Sequence, residues 1–462
     1  MKKVNVMGGQ QQKNNIELQH IKMTQTPIHK LVATMAIPTV TSMLITVAYN
    51  TADTYFVAQI NKSASAAVGA VYAVMAIIQA LGYGIGVGAC SLISRKLGAK
   101  ENEKANMYAS SGLFAAVMMG VIIMVCGLSM LNPFLKLLGC SVTMMPYAIP
   151  YAKFILIAAP LNCATFVLNN ILRSQGKTTL SMIGMGAGGI LNIILDPVFI
   201  FRLGMGTGGA AVATMISQTV SFAILGCCYL AGKSIVNVGL KYVSRNIEDY
   251  KLIVTTGFPT ICRQGLGSLS AAVLNIQAVA YGGDAAAAAI TIANKIYVLV
   301  RNICLGIGQG FQPVAGYNFG AGNRKRTWQS FVFTVKVGTV VCTSFAVGTA
   351  LFANEIMCWF TGDVQVVQLG VQTLLAGSAI MPLLAFSTYV NHLYQCLGFR
   401  SQAAFLASCR QGIFFMPIVL LLPLKIGCLG VQVTQPLADL CTFFVSIPFI
   451  IRFYKKHIDV KE

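Results

Sequence analysis

Between Leu31 and Phe453 the chain alternates long apolar stretches with short polar breaks, and each stretch is close to the roughly 20 residues an α-helix needs to cross a bilayer. Runs and breakers place spans near residues 31–58, 65–93, 105–131, 147–173, 178–201 and 208–232. After a polar linker, six more fall near 253–281, 285–313, 327–352, 366–397, 401–423 and 430–454. The pattern predicts an all-α polytopic membrane protein with twelve transmembrane helices.

The polar breaks differ in charge. Arg95, Lys96, Lys100 and Lys104 follow the second span, Arg173 and Lys177 the fourth, and the basic linker the sixth. Arg324, Lys325 and Arg326 follow the eighth, Arg400 the tenth, and Arg452, Lys455 and Lys456 close the chain. The alternate loops carry only Lys62, Lys136, Arg202 and Lys425. The positive-inside bias then puts both termini in the cytoplasm.

The two halves also repeat at an offset of 222 residues. Gly84, Gly86, Gly88, Gly98 and Ala99 align with Gly306, Gly308, Gly310, Gly320 and Ala321, Pro160 with Pro382, Gly176 with Gly398, and Gly208 with Gly430. Six spans per repeat is an even number, so both repeats enter on one face and their pseudo-twofold axis runs along the membrane normal. Two six-helix lobes so related enclose a cleft that can rock open to either side. The expected organisation is a disordered cytoplasmic tail over 1–30, an N-lobe over 31–232, a cytoplasmic linker over 233–252, a C-lobe over 253–454 and a short cytoplasmic tail over 455–462. The tail has no apolar core of a signal peptide, which leaves the first span as its own insertion signal.

Composition agrees and narrows the function. Of 462 residues 56% are hydrophobic and only 10% charged, far from the roughly 25% charged of soluble domains. The net charge of +20 would suggest nucleic acid in a soluble protein, but the basic residues sit where membrane topology puts them and form no stripe interleaved with aromatics, so no nucleic-acid partner is expected. The 14 cysteines are scattered without a Cys-x-x-Cys, which predicts free thiols and neither a metal centre nor a cofactor. No metalloprotease or nucleophile-elbow signature is found, and no enzyme activity is expected. The glycine runs Gly82–Gly88 and Gly184–Gly189 follow no strand, so they read as close helix packing rather than phosphate loops.

Chemistry inside the membrane falls to few residues. Of thirteen acids only Asp53, Asp196 and Asp439 lie well within spans, and an ionisable group there is a functional candidate. Counted at 1.5 Å per residue, Asp53, Asp196 and Thr214 all fall in the outer half of the bilayer. Asn192 precedes Asp196 by one turn and shares its face. Pro197, which lacks an N–H, disturbs the turn before it. Two carboxylates, an amide oxygen and a hydroxyl are hard donors that suit Na⁺, or protons shared between the acids. At the 222-residue offset Asp53, Asn192, Asp196 and Thr214 fall on Asn275, Phe414, Ile418 and Pro436, so ion coupling is expected in the N-lobe alone. The C-lobe carries Arg263, Lys295 and Arg301 instead, with Gln264, Asn275 and Asp439 as possible partners. A substrate role and a lobe-packing role both remain open for these groups. His392 reads as a helix contact.

Several motifs are familiar. Asn50-Thr51-Ala52-Asp53-Thr54-Tyr55 in the first span, Leu172-Arg173-Ser174-Gln175-Gly176-Lys177 after the fourth, Asn192-Ile193-Ile194-Leu195-Asp196-Pro197 in the fifth, and Gly308-Gln309-Gly310-Phe311-Gln312-Pro313 in the eighth resemble the multidrug and toxic compound extrusion (MATE) family, most closely its DinF-like and MepA-like branch. The resemblance implies a V-shaped pair of six-helix lobes that exports small amphipathic, often cationic organic compounds in exchange for Na⁺ or H⁺. It implies a bacterial inner-membrane protein in which one chain is a sufficient unit. Carried over by position, the cation site is Asp53, Asn192, Asp196 and Thr214. Asn50, Arg263, Gln264, Asn275, Lys295 and Asp439 are the candidates expected to line the substrate cleft. The acid that another branch uses in the second lobe has no counterpart here. The alternative expectation is a flippase for lipids or lipid-linked oligosaccharides from the same wider superfamily.

Overall fold

The computed structural model describes residue 14 and residues 16–459. Among these there is no β-strand, and eleven helices are long and apolar enough to cross a membrane. One of the eleven counts twice. Ile247–Gly320 is a single run of 74 residues interrupted at Gly283, whose φ of 64° only glycine adopts freely, and this bend separates the seventh span from the eighth.

A short helix α1 occupies residues 16–25. The N-lobe follows with α2 (Ile28–Ala58), α3 (Lys62–Gly98), α4 (Asn102–Ser129), the short α5 (Leu131–Leu137), α6 (Met145–Ser174), α7 (Thr178–Pro197) and α8 (Gly206–Leu230). The C-lobe consists of α9 (Ile247–Gly320), α10 (Arg324–Leu351), the short α11 (Ala353–Phe360), α12 (Val364–Leu397), α13 (Arg400–Ser408), α14 (Phe415–Ile426) and α15 (Cys428–His457). The first residues of α4, α5, α7 and α8 each lie 222 residues before those of α10, α11, α13 and α15. The duplication is therefore structural as well as sequential.

The lobes meet through glycine. A Cβ on Gly98 would strike the carbonyl of Tyr317, and one on Gly320 the carbonyl of Arg95. These two contacts exchange under the 222-residue offset, so the pseudo-twofold axis passes between them, as in an isologous interface. Further along the same helices Gly84 and Gly257 touch, Gly88 lies against Ile253, Gly306 against Val40 and Gly310 against Ala36. Towards the other face of the membrane Gly69, Gly265 and Gly267 have nothing within 4 Å of a Cβ. The lobes are thus sealed at the side carrying α1 and the last residues of α15 and diverge towards the other.

One expectation is corrected at that sealed side. Of the segment read as a disordered tail, residues 16–25 are helical and docked, because the helix meets partners on both lobes. Gln19 Nε2 donates to Gln175 O at 2.7 Å on the N-lobe. Asn318 Nδ2 donates to Met23 O at 3.1 Å, Arg326 Nη2 to Thr26 O at 2.7 Å, and His20 Nδ1 lies 3.2 Å from Tyr317 Oη on the C-lobe. Met23 is 0% exposed. The rest of the tail, residues 1–13 and 15, lies outside the described residues, as do residues 460–462. The linker is ordered too: the amides of Ile235 and Val236 donate to Gln175 Oε1, and those of Gly239 and Ser244 to the hydroxyls of Ser110 and Ser111 on α4.

Candidate functional site: a buried acid pair beside the cleft

Close packing of α2, α7 and α8 builds the site. Gly188 admits Ser217 and Ser221 of α8 against α7, and Gly189 admits Ile45 and Tyr49 of α2. The glycine run of α7 is thus packing, as its sequence indicates, and it draws the polar groups of three helices together. Proline then ends the regular helix. Pro197 cannot donate a backbone hydrogen bond, and a π turn over Val198–Arg202 follows it at once.

Asn192, Asp196 and Thr214 come together. Asn192 Nδ2 donates to Asp196 Oδ1 at 3.0 Å and to Thr214 Oγ1 at 3.4 Å. All three are buried, at 3%, 0% and 4% exposure. Asp53 approaches from α2, and Asp53 and Asp196 are near enough for their charges to act on each other. Tyr151 of α6, within reach of both, donates its hydroxyl to Asp53 Oδ2 at 3.3 Å. Four buried oxygens nearby have no hydrogen-bond partner: Asp53 Oδ1, Asp196 Oδ2, Asn192 Oδ1 and Ser217 Oγ. Orphaned acceptors are expensive in low dielectric, and a set made wholly of oxygen suits a hard monovalent cation or a proton. A pocket between α2 and α3, lined by Asn50, Asp53, Thr54, Ser65, Tyr72 and Met75, adjoins Asp53.

The expected cleft residues fare unevenly. Asn50 lines the pocket beside Asp53. Lys295 and Asn275 are exposed and Gln264 is half-buried. Arg263 is half-buried and places Nη1 3.3 Å from both Asn391 Oδ1 and His392 Nε2. Asp439 is corrected: it does not face the cleft as a free acid. Arg410 Nε donates to its Oδ1 at 2.6 Å, Gln435 Nε2 to the same oxygen at 3.1 Å, and Tyr297 Oη to Oδ2, so a buried ion pair consumes it. Its cation is none of the three expected, because a π turn over Cys409–Ile413 turns Arg410 inward. Tyr151, Ser217 and Arg410 were not legible as site residues. A lone tyrosine or serine in an apolar span has no distinguishing spacing, and Arg410 sits close enough to a span's start to read as a boundary residue.

Two repeated six-helix lobes, sealed at one face, open at the other and holding intramembrane acids with orphaned oxygens in one lobe, define a polytopic membrane transporter. The family model described as MatE matches residues 38–198 and 259–421, covering most of both lobes, and the chain belongs to that family. It is 27% identical over 412 residues to "Multidrug export protein MepA" of Staphylococcus aureus, covering 88% of this chain and 90% of that protein. Its fold matches a solved structure described as "MATE in complex with MaL6" with a TM-score of 0.89 and 26% identity, over 93% of this chain and 97% of that one. A second, described as an "outward-facing conformation of a multidrug resistance MATE family transporter", matches with a TM-score of 0.88 and 26% identity, over 93% and 96%.

Proposed function

We propose that this chain is a secondary active multidrug efflux transporter of a bacterial plasma membrane, exporting amphipathic, often cationic organic compounds in exchange for Na⁺ or H⁺. The acids Asp53, half-buried, and Asp196, fully buried, with orphaned oxygens around them and a pocket beside Asp53, carry this reading. The basic loops support a cytoplasmic sealed side and an opening that faces outward. A cation entering from outside reaches Asp53 first and Asp196, Asn192 and Thr214 behind it. Neutralising the pair removes the repulsion between two carboxylates and lets α2 settle against α7. Because α2 also touches α9 through Val40 and Ala36, its movement is felt at the interface between the lobes. Coupling requires that the cation and the drug favour different states, since a ligand shifts an equilibrium only by its differential affinity. Both lobes lie in one chain, so a monomer is a complete unit.

Efflux of a fluorescent cationic dye from proteoliposomes, with Na⁺ and pH gradients imposed separately, tests the proposal. Wild type should follow one gradient, and Asp53→Asn and Asp196→Asn should each lose that dependence while remaining folded. Full gradient-driven efflux in both variants would remove the site from the mechanism.

A further inference from the structure

The 222-residue offset relates two cavities as well as two sets of helices. In the N-lobe the pocket beside Asp53 is lined in part by Val68, Tyr72 and Met75. Their counterparts Ile290, Asn294 and Tyr297 line a cavity enclosed by α9, α12 and α15 of the C-lobe. The two copies differ where the chemistry lies. Asn275 and Ile418 stand in place of Asp53 and Asp196, and Thr373 in place of Tyr151. Tyr151 is fully buried in the N-lobe, whereas the shorter Thr373 lines the C-lobe cavity together with Leu374, Gly377 and Met381.

Instead of free acids the C-lobe copy holds a completed ion pair. Asp439 occupies the position of Ser217, whose hydroxyl is orphaned in the N-lobe, and Arg410 that of Gly188, against which Ser217 packs. Arg410, Gln435 and Tyr297 all donate to Asp439, and Gln435 and Tyr297 are also cavity wall. Any ion entering the cavity would lose its hydration and find no unpaired countercharge in that wall. Two polar groups are left over. Half-buried Asn294 makes no side-chain hydrogen bond with the described residues. Gln432 donates through Nε2 to Leu369 O at 3.1 Å, and its Oε1 receives no donor. Most of the remaining lining is apolar, from Leu274, Ala293 and Val431 among others.

We propose that this C-lobe cavity is a second ligand site, taking one uncharged aromatic ring that carries a hydrogen-bonding substituent, a compound of the phenol or benzamide class. The inference goes beyond the efflux reading, because it adds a site in the lobe that lacks the acid pair. Size selects a single ring. The cavity volume is about 40 Å³, room for roughly three waters, whose share of liquid volume is roughly 90 Å³. One six-membered ring fills such a space and a fused polycycle exceeds it. The Tyr297 ring and the Met381 thioether offer the edge and sulfur contacts that aromatic groups favour. Asn294 and Gln432 supply a donor and acceptors for the substituent. An apolar enclosure with a few polar groups is the usual make-up of a small-molecule site.

Fluorine NMR on the purified full-length chain in phosphatidylcholine nanodiscs tests the site. 4-Fluorophenol should show saturable broadening beyond that of empty nanodiscs. Fluorobenzene, which lacks the hydroxyl, should bind about 2- to 12-fold more weakly, the range of one net hydrogen bond. 4-Fluorobenzoate and 4-fluorobenzyltrimethylammonium, which carry opposite charges, should not displace 4-fluorophenol. A Cβ on Gly377 meets only Tyr297, at 3.9 Å, so Gly377→Val should be accommodated, fill the cavity and abolish saturable binding. Thr373→Tyr, which restores the N-lobe residue, should do the same. Asn294→Leu should erase the preference for 4-fluorophenol over fluorobenzene. No saturable binding to wild type, equal binding in wild type and both filled variants, or displacement by either ion would overturn the proposal. Ring binding in a protein that effluxes no dye would keep the site and sink the efflux reading, and gradient-driven efflux without ring binding would do the reverse.

Discussion

Replacing Gly310 by alanine tests whether the glycine seam holds the lobes closed. The added Cβ would lie 2.6 Å from both the backbone N and Cα of Ala36 on α2. Ordinary contact begins near 3.4 Å, and backbone cannot rotate away as a side chain does, so α2 and α9 must separate by about 0.8 Å at this point. Overpacking of this kind costs about 1–3 kcal/mol. That cost falls only on the sealed arrangement, where α2 and α9 touch. The roughly 1 kcal/mol that alanine gains over glycine in a helix is common to both arrangements and cancels. The ratio of unsealed to sealed protein should therefore rise by about 5- to 150-fold. Hydrogen exchange followed by mass spectrometry reads this without labels: α1, which bridges the lobes at the sealed side, should exchange faster by a similar factor. Gly69→Ala, where a Cβ meets nothing within 4 Å, should leave α1 at its wild-type rate. Unchanged exchange of α1 in a folded Gly310→Ala protein would refute the assignment of the seam.

Three further outcomes follow from named contacts. Gln175→Ala removes the acceptor of the Ile235 amide at 2.6 Å and should lower stability by about 1–3 kcal/mol, the cost of a buried orphaned donor, in a thermal-shift assay; Gln175→Glu keeps an acceptor but loses the donor to Ile171 O and buries a carboxylate, so it should cost at least as much. Arg410→Met leaves Asp439 buried and unpaired and should destabilise by about 3–5 kcal/mol, whereas Arg410→Met combined with Asp439→Leu should recover most of it, as a double-mutant cycle would show. Met23→Ala empties a fully buried position at the base of α1 and should expose residues 16–25 to limited proteolysis, while Lys22→Ala, on the exposed face of the helix, should not.

The parts of this architecture with a periodic or compositional signal were legible in the sequence. Most spans fall within a few residues of their helices, the widest gaps being at the ends of α9, which runs from Ile247 to Gly320 where the pattern predicts 253 and 313. The offset that pairs Gly98 with Gly320 appears as a symmetric contact. The Asn192–Asp196 pair was legible because its spacing of four is a helical neighbour relation. What escaped depends on contacts between distant segments. Tyr151 meets Asp53 across 98 residues, and Arg410 meets Asp439 only because a π turn rotates it inward. Helix α1 is polar and brief, and an isolated helix of that length is marginal in water. It is ordered by Gln175, Tyr317, Asn318 and Arg326, none of which its own sequence reveals.

The seam also bears on how readily the lobes can part. Between Gly98 and Tyr317, Gly320 and Arg95, or Gly84 and Gly257, one or both partners at the contact are bare backbone. Closing it freezes few rotamers, whereas an interface of interdigitated long side chains would surrender up to about 1.5–2 kcal/mol of side-chain entropy for each one immobilised. The joint can therefore form and dissolve without melting and refreezing a layer of side chains at each turn. Two arrangements joined in this way can lie close in free energy, leaving a single bound ligand enough leverage to decide between them.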